Sequence, residues 1–200
     1  PQAFRIEQEA GLVVQPHFHF VDQFQLVVDG GGWIGRHKAD PLTVHYAGAH
    51  TGYGPITAGP EGLSYVTMRA QSDGTGAQYL PAARERMQAV PKRYRLAPTS
   101  SALSDEALRQ LPEVQKTEAL QEDDGLAAWI YRLPPNARTT GPDPALGGGQ
   151  SIYVSRGGLQ HAGQSLDRHS CLYLSCDEAP LAIQAGLQGL ELVVCQYARR

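Results

Sequence analysis

The sequence predicts an all-β protein made of two copies of one module. Three observations carry this: a turn-rich composition, an internal repeat, and the lack of helices alternating with strands. Glycine, at 22 of 200 residues, and proline, at 14, exceed their usual shares, about 7 % and 5 %. Tyr, Val and Leu are well represented, which suits short strands joined by tight turns. Two hundred residues suffice to bury a core, as one large domain or two small ones.

The repeat appears when the sequence is shifted by 127 positions. Gln23-Phe-Gln-Leu-Val-Val-Asp-Gly30 then lies on Gln150-Ser-Ile-Tyr-Val-Ser-Arg-Gly157. Without a gap, Tyr46 falls on Tyr173, Ile56 on Ile183, Ala58-Gly59 on Ala185-Gly186, Gly62-Leu63 on Gly189-Leu190 and Val66 on Val193. In each copy, strands are punctuated by turn residues, in the first at Gly30 to Gly32, Asp40-Pro41, Gly52 to Pro55 and Gly59 to Gly62. Such spacing predicts a sandwich or barrel.

The first module is expected over residues 1–80 and the second over 118–200, with a helical linker at 81–117. Ala82 to Met87 and Ser104 to Leu111 read as its helices. Ser104 is the expected N-cap, acids occupy the first turn, and Pro112 marks the stop. Pro91, Pro98 and the Thr99-Ser100-Ser101 run are linker chemistry.

A net charge of -3 and a pI near 6.2 leave no positive field to hold a phosphate backbone, so nucleic acid is not expected as a partner. Apolar runs such as Leu192 to Cys195 fall far short of the ~20 residues that span a bilayer, and no basic-then-apolar leader opens the sequence. Cys171, Cys176 and Cys195 are an odd number gathered near one end, not a disulfide framework. A soluble, cytoplasmic protein is expected.

One cluster looks like chemistry: Pro16-His17-Phe18-His19, then Gln23, then His50. Alternate strand residues share a face, so His17 and His19 would point the same way about 6.6 Å apart and could converge on one ion. Gln23 has the same parity, but a straight strand would carry it roughly 20 Å away. The chain must therefore bend near Val21-Asp22 to return Gln23 beside the pair.

His17-x-His19-x3-Gln23-x6-Gly30 resembles the first signature of the cupins, and Tyr46-Ala47-Gly48-Ala49-His50 resembles the second, with Gln23 in place of the usual glutamate and Tyr46 in place of a proline. The resemblance covers the first module and, through the repeat, the second, so the protein looks like a bicupin. It implies two double-stranded β-helix (jelly-roll) barrels. It also implies a divalent transition metal, Fe, Ni, Mn, Cu or Zn, held by His17, His19, Gln23 and His50.

Under the repeat, the three histidines fall on Pro144, Leu146 and Asp177, while Gln23 falls on Gln150. The second module thus has the barrel without the site. Gln23 reads either as a ligand or as a scaffold residue like Gln150, and a His-x-His pair is also found on ordinary polar strand faces. His161, His169, Cys171 and Cys176 match no zinc spacing. His37 and His45 flank the site strands as surface or supporting residues.

Three histidines and a neutral glutamine would leave the ion its full charge, favouring an anionic substrate. Tyr53, Tyr65 and Arg69 are the candidate catalytic residues, the tyrosines as acid–base groups and the arginine as a carboxylate clamp; each also reads as barrel structure. The leading expectation is an enzyme on a small, anionic, oxygen-rich metabolite, acting as a dioxygenase or a Lewis-acid isomerase or lyase. The alternative is a non-catalytic barrel that binds or senses a small ligand. Expected partners are that small molecule and a second copy in a homodimer, with no membrane.

Overall fold

The computed structural model describes residues 1–97 and 101–199. It divides into two compact units, Pro1–Ser101 and Ala102–Arg200, each an antiparallel jelly roll with little helix. No helix among the described residues is long and apolar enough to cross a membrane.

The first unit contains β1 (Gln2–Gln8), β2 (Val13–Val14), β3 (His17–Phe18), β4 (Gln23–Ile34), β5 (His37–Ala39), β6 (Val44–Ala47), β7 (Ile56–Arg69), β8 (Gln78–Tyr79) and β9 (Tyr94–Ala97). Its main sheet runs β1-β7-β4-β6-β9, with β2 added on β7 and β5 on β4, while β3 and β8 pair separately. The second unit opens with α1 (Asp105–Arg109), followed by β10 (Gln115–Gln121), β11 (Ala127–Leu133), β12 (Arg138–Thr140), β13 (Gln150–His161), β14 (Gln164–Asp167), β15 (Cys171–Leu174) and β16 (Ala182–Gln196). Its sheet runs β10-β11-β16-β13-β14, with β12 on β16 and β15 on β13.

The sequence repeat is a repeat of register. Val27 pairs with Tyr65 and Val154 with Leu192; Gly30 pairs with Leu63 and Gly157 with Leu190. Both long hairpins slip register at matching places, after Val27 and Val154 and after Gly30 and Gly157. Gly30 and Gly157 have φ of 65° and 69°. A Cβ at either would run into the carbonyl of Gly62 or Gly189, so only glycine fits the bulge.

The expected helical linker is not an element of its own. Arg84–Arg86 forms a single 3-10 turn, and β9 pairs with β6, Val44 opposite Ala97, inside the first unit. The α1 helix belongs to the second unit, capped by Ser104 Oγ, which accepts from Ala107 N at 3.1 Å, and buries Leu108 beside Gly189. Sheet pairing thus claims residues that composition marks as connection. The linker residues Pro98, Thr99 and Ser100 lie outside the described residues.

Strand parity separates the two interiors. The second is packed with Trp129, Leu133, Ile152, Leu174, Leu192 and Val194. In the first, three of the matching positions carry polar groups, Gln25 for Ile152, Tyr65 for Leu192 and Thr67 for Val194, and the charged Arg69 stands where the second has the neutral Gln196.

Candidate functional site

His17 reaches the interior of the first barrel because β3 is anchored on both sides. It pairs with Tyr79 of β8 and forms a bridge to Tyr53, His17 N donating to Tyr53 O at 3.1 Å and Tyr53 N to His17 O at 3.0 Å. His19, two residues on, emerges on the same side. The two imidazoles are buried, edge to face, with ring centroids 5.3 Å apart. The chain then bends at Phe20 to Val21, and Asp22 Oδ1 accepts from Ala49 N at 2.8 Å. Gln23 follows at the start of β4, also buried and facing inward.

Gln23 meets Arg69, at the end of β7. Its Oε1 accepts from Arg69 Nε at 3.0 Å and Nη2 at 2.8 Å, and its Nε2 donates to Tyr53 Oη at 2.5 Å. Arg69 is only 3 % exposed. Its Nη1 donates to Gln2 Oε1 at 2.9 Å, and its guanidinium lies over the Phe4 ring at 5.4 Å. Its charge is balanced by Asp73, 3.8 Å away.

Asp73 also orients His19. Its Oδ2 accepts from His19 Nδ1 at 2.8 Å, while Oδ1 accepts from Thr75 N at 2.9 Å and Thr75 Oγ1 at 2.6 Å. Burial alone would raise the Asp73 carboxyl, but the Thr75 and His19 hydrogen bonds hold it below its usual value. Because a carboxylate only accepts, Nδ1 of His19 carries the proton. Nε2 is therefore the unprotonated nitrogen, and Arg69 Nη2 lies against the ring, 3.1 Å from Nδ1 and 3.4 Å from Nε2. Burial lowers the pKa of His19 to about 4, against the opposing hydrogen bond to Asp73, so the ring is neutral at pH 7. His17 is arranged alike: Nδ1 donates to Gln15 O at 2.8 Å, and burial lowers its pKa.

His17, His19, Gln23, Arg69 and Asp73 line one cavity of about 370 Å³, together with Gln25 and Thr67. Phe4, Ile6, Val14, Tyr65 and Tyr79 supply its apolar lining. The Thr67 hydroxyl is buried without a hydrogen-bond partner. Burial raises the pKa of the phenols of Tyr53 and Tyr65, keeping both protonated. A larger groove of about 530 Å³ on the second unit, along Arg156, Asp167 and Arg168, is open and mostly exposed.

His50 is not part of this constellation. Its backbone is left-handed, φ 59°, and its ring packs on Phe18 and Phe20, with centroids 5.9 and 5.1 Å away. Phe18 alternates with His17 and His19, so this is the opposite face of the strand. His50 Nδ1 accepts instead from Gln88 N at 3.2 Å. The interior position goes to Tyr53, three residues later.

The expected metal set is therefore not assembled, and the residues present do not fit a divalent ion. Gln23 Oε1 is engaged by a guanidinium that also lies against the His19 ring and stays charged at any physiological pH, and the third histidine faces away. Among the described residues no three of His, Cys, Asp and Glu gather as a metal set. An ion bonded to His19 and Gln23 would lie within about 4 Å of the guanidinium. The repulsion of a dication there is roughly 8 kcal/mol at an effective dielectric of 20.

Sequence reasoning missed Asp73, Gln25 and Gln2, and left His45 open between a surface and a supporting role. Gln25 was legible from its parity with Gln23. His45 is fully buried, donates Nδ1 to Gln25 Oε1 at 2.7 Å, and keeps Nε2 without a partner, whereas His37 is exposed. Asp73 and Gln2 carry no local signal, since they meet His19 and Arg69 only through pairing across 54 and 67 residues.

No protein-family model matches the chain, and no curated protein does. Solved structures do. Bacterial pirin YhhW from Escherichia coli, in complex with nickel(II), is 14 % identical with a TM-score of 0.58, over 99 % of this chain and 81 % of that one. A salicylate 1,2-dioxygenase from Pseudaminobacter salicylatoxidans is 12 % identical, TM-score 0.56, over 97 % and 70 %. Vicilin from Corylus avellana is 13 % identical, TM-score 0.57, over 98 % and 74 %. These likenesses show the fold: the chain has a cupin-type jelly roll in two copies.

Proposed function

We propose that the first barrel is a binding site for a small, oxygen-rich anion, held without a transition metal. The observation that carries this reading is the contrast between the interiors. Where the second barrel places Ile152, Leu192 and Val194, the first places Gln25, Tyr65 and Thr67 around a cavity, with a buried guanidinium at one side. Such groups cost stability when buried, about 1–3 kcal/mol for each left unpaired. A bound molecule that hydrogen-bonds Thr67 and Tyr65 and sets its charge toward Arg69 would offset that cost. The apolar lining of Phe4, Ile6 and Tyr79 suits a short carbon skeleton.

The test is a thermal-shift screen of small hydroxy-, keto- and aromatic carboxylates, followed by calorimetric titration of the best binder. A carboxylate should raise Tm, and Thr67→Val should weaken its binding about tenfold while the variant remains folded. A full panel without a shift, or binding indifferent to Thr67→Val and Arg69→Gln, would refute the reading.

The buried His19–Asp73 pair favours a second reading, in which the barrel is an enzyme that moves a proton. Asp73 fixes the His19 tautomer so that Nε2 is the acceptor. A carbon acid bound by its carboxylate could lose a proton there, as in an isomerase or lyase. Exchange of deuterium from solvent into a bound acid, abolished by His19→Gln, tests it. Dioxygenase chemistry, named for a neighbour of the same fold, relies on a metal that this donor set does not suit. Three free cysteines support a reducing, cytoplasmic setting.

A further inference from the structure

We propose that the Arg69 guanidinium is a built-in cation standing in the place of a metal ion among His17, His19 and Gln23, and that its removal converts those residues into a divalent-metal site. Arg69 Nη2 lies 2.8 Å from Gln23 Oε1 and 3.1 and 3.4 Å from the two ring nitrogens of His19. The guanidinium thus lies directly against the Gln23 oxygen and the His19 ring, where its charge opposes an ion bound to either. It carries the positive charge that an ion held by the neutral imidazoles and the amide oxygen would otherwise bring, and Asp73 balances it at 3.8 Å.

The second barrel supplies an internal comparison. At the position equivalent to Arg69 it has Gln196, whose Oε1 accepts from Gln150 Nε2 at 2.9 Å. The barrel therefore closes at this register with a neutral amide pair, and packing alone does not demand an arginine. The arginine occurs in the copy that has the histidines. Both histidines are also oriented as ligands would be, with Nδ1–H tied to Gln15 O and to Asp73 and Nε2 left as the acceptor. The donors are oriented, and a guanidinium lies against two of them, Gln23 and His19.

This inference does not depend on the identity of the bound anion, and its test uses Co(II) alone. Full-length protein, freed of metal by chelation, is titrated with Co(II) and followed by d–d absorbance and metal analysis after gel filtration. Wild type should bind no stoichiometric Co(II). Arg69→Ala should bind one per chain at least 100-fold more tightly than wild type, and a second substitution, His19→Ala, should abolish that binding. Should Arg69→Ala not fold, Arg69→Gln, which copies the arrangement at Gln196, serves in its place. Stoichiometric Co(II) on wild type that His19→Ala removes would overturn the proposal. So would a folded Arg69 variant that takes up no Co(II), or one whose binding ignores His19→Ala.

Discussion

Gln23 and Arg69 are locked together inside the first barrel, the amide oxygen accepting from both Nε and Nη2 of the guanidinium at 3.0 and 2.8 Å. The contact joins the first residue of β4 to the last of β7, and in the second barrel Gln150 and Gln196 make its neutral counterpart. Gln23 is thus a scaffold residue in both copies, and in the first it also holds the buried charge.

Gln23→Leu should therefore cost more than Gln150→Leu. The former leaves donors of a buried guanidinium unpaired, which costs more than the roughly 1–3 kcal/mol of a neutral group, whereas the latter leaves only the neutral acceptors Gln196 Oε1 and Pro142 O unpaired. Gln23→Glu should retain most of the stability by pairing its charge with Arg69. Urea denaturation of the three variants measures this, and equal losses at Gln23 and Gln150 would contradict it.

His45 predicts a stability loss in acid. Burial lowers its pKa to about 3, against a usual 6.5, so below pH 6.5 the unfolded chain binds a proton that the folded barrel refuses. Stability from this residue is complete above pH 6.5 and falls as the pH drops toward 3, by on the order of 1 kcal/mol per pH unit. His19, lowered to about 4, acts in the same direction. Denaturation from pH 7.5 to 4.5 should show the decline, with a shallower slope in His45→Gln.

At His50 the backbone and the ring make separate demands. His50→Ala should cost about 1 kcal/mol, through lost packing on Phe18 and Phe20 and a side chain poorly suited to φ 59°. His50→Asn, which tolerates a left-handed backbone, should cost less than His50→Val, which does not. Anion binding in the cavity should be unchanged in all three. Paired melts and titrations separate these effects.

Gly30→Ala and Gly157→Ala should be equally damaging, each by roughly 2 kcal/mol or more, because both residues have positive φ and face a glycine carbonyl. Comparable Tm losses for the two would bear out the equivalence of the bulges. A tolerated alanine at either would refute it.

Legibility in the sequence followed the range of the interaction. The jelly-roll class, the two copies and their common register were readable because strand periodicity, bulge glycines and turn residues act between chain neighbours, and the same pattern occurs twice. The inward pair His17 and His19 and the return of Gln23 were readable for the same reason, from parity and one required bend. The linker was misread because residues such as Tyr94 to Ala97 look like a connection until β6 offers them an edge.

Tertiary structure alone decided what the histidines meet. Whether His50 turns inward rests on the sign of one backbone angle, which the motif around it does not encode, and the left-handed choice sends its ring to Phe18. Whether Gln23 faces an ion or an arginine rests on the pairing of β4 with β7 across 46 residues. The sequence by itself therefore determined two barrels and one polar interior. The cation at its centre was decided by strand pairing, because a buried charge is placed by the partners that three-dimensional packing brings to it.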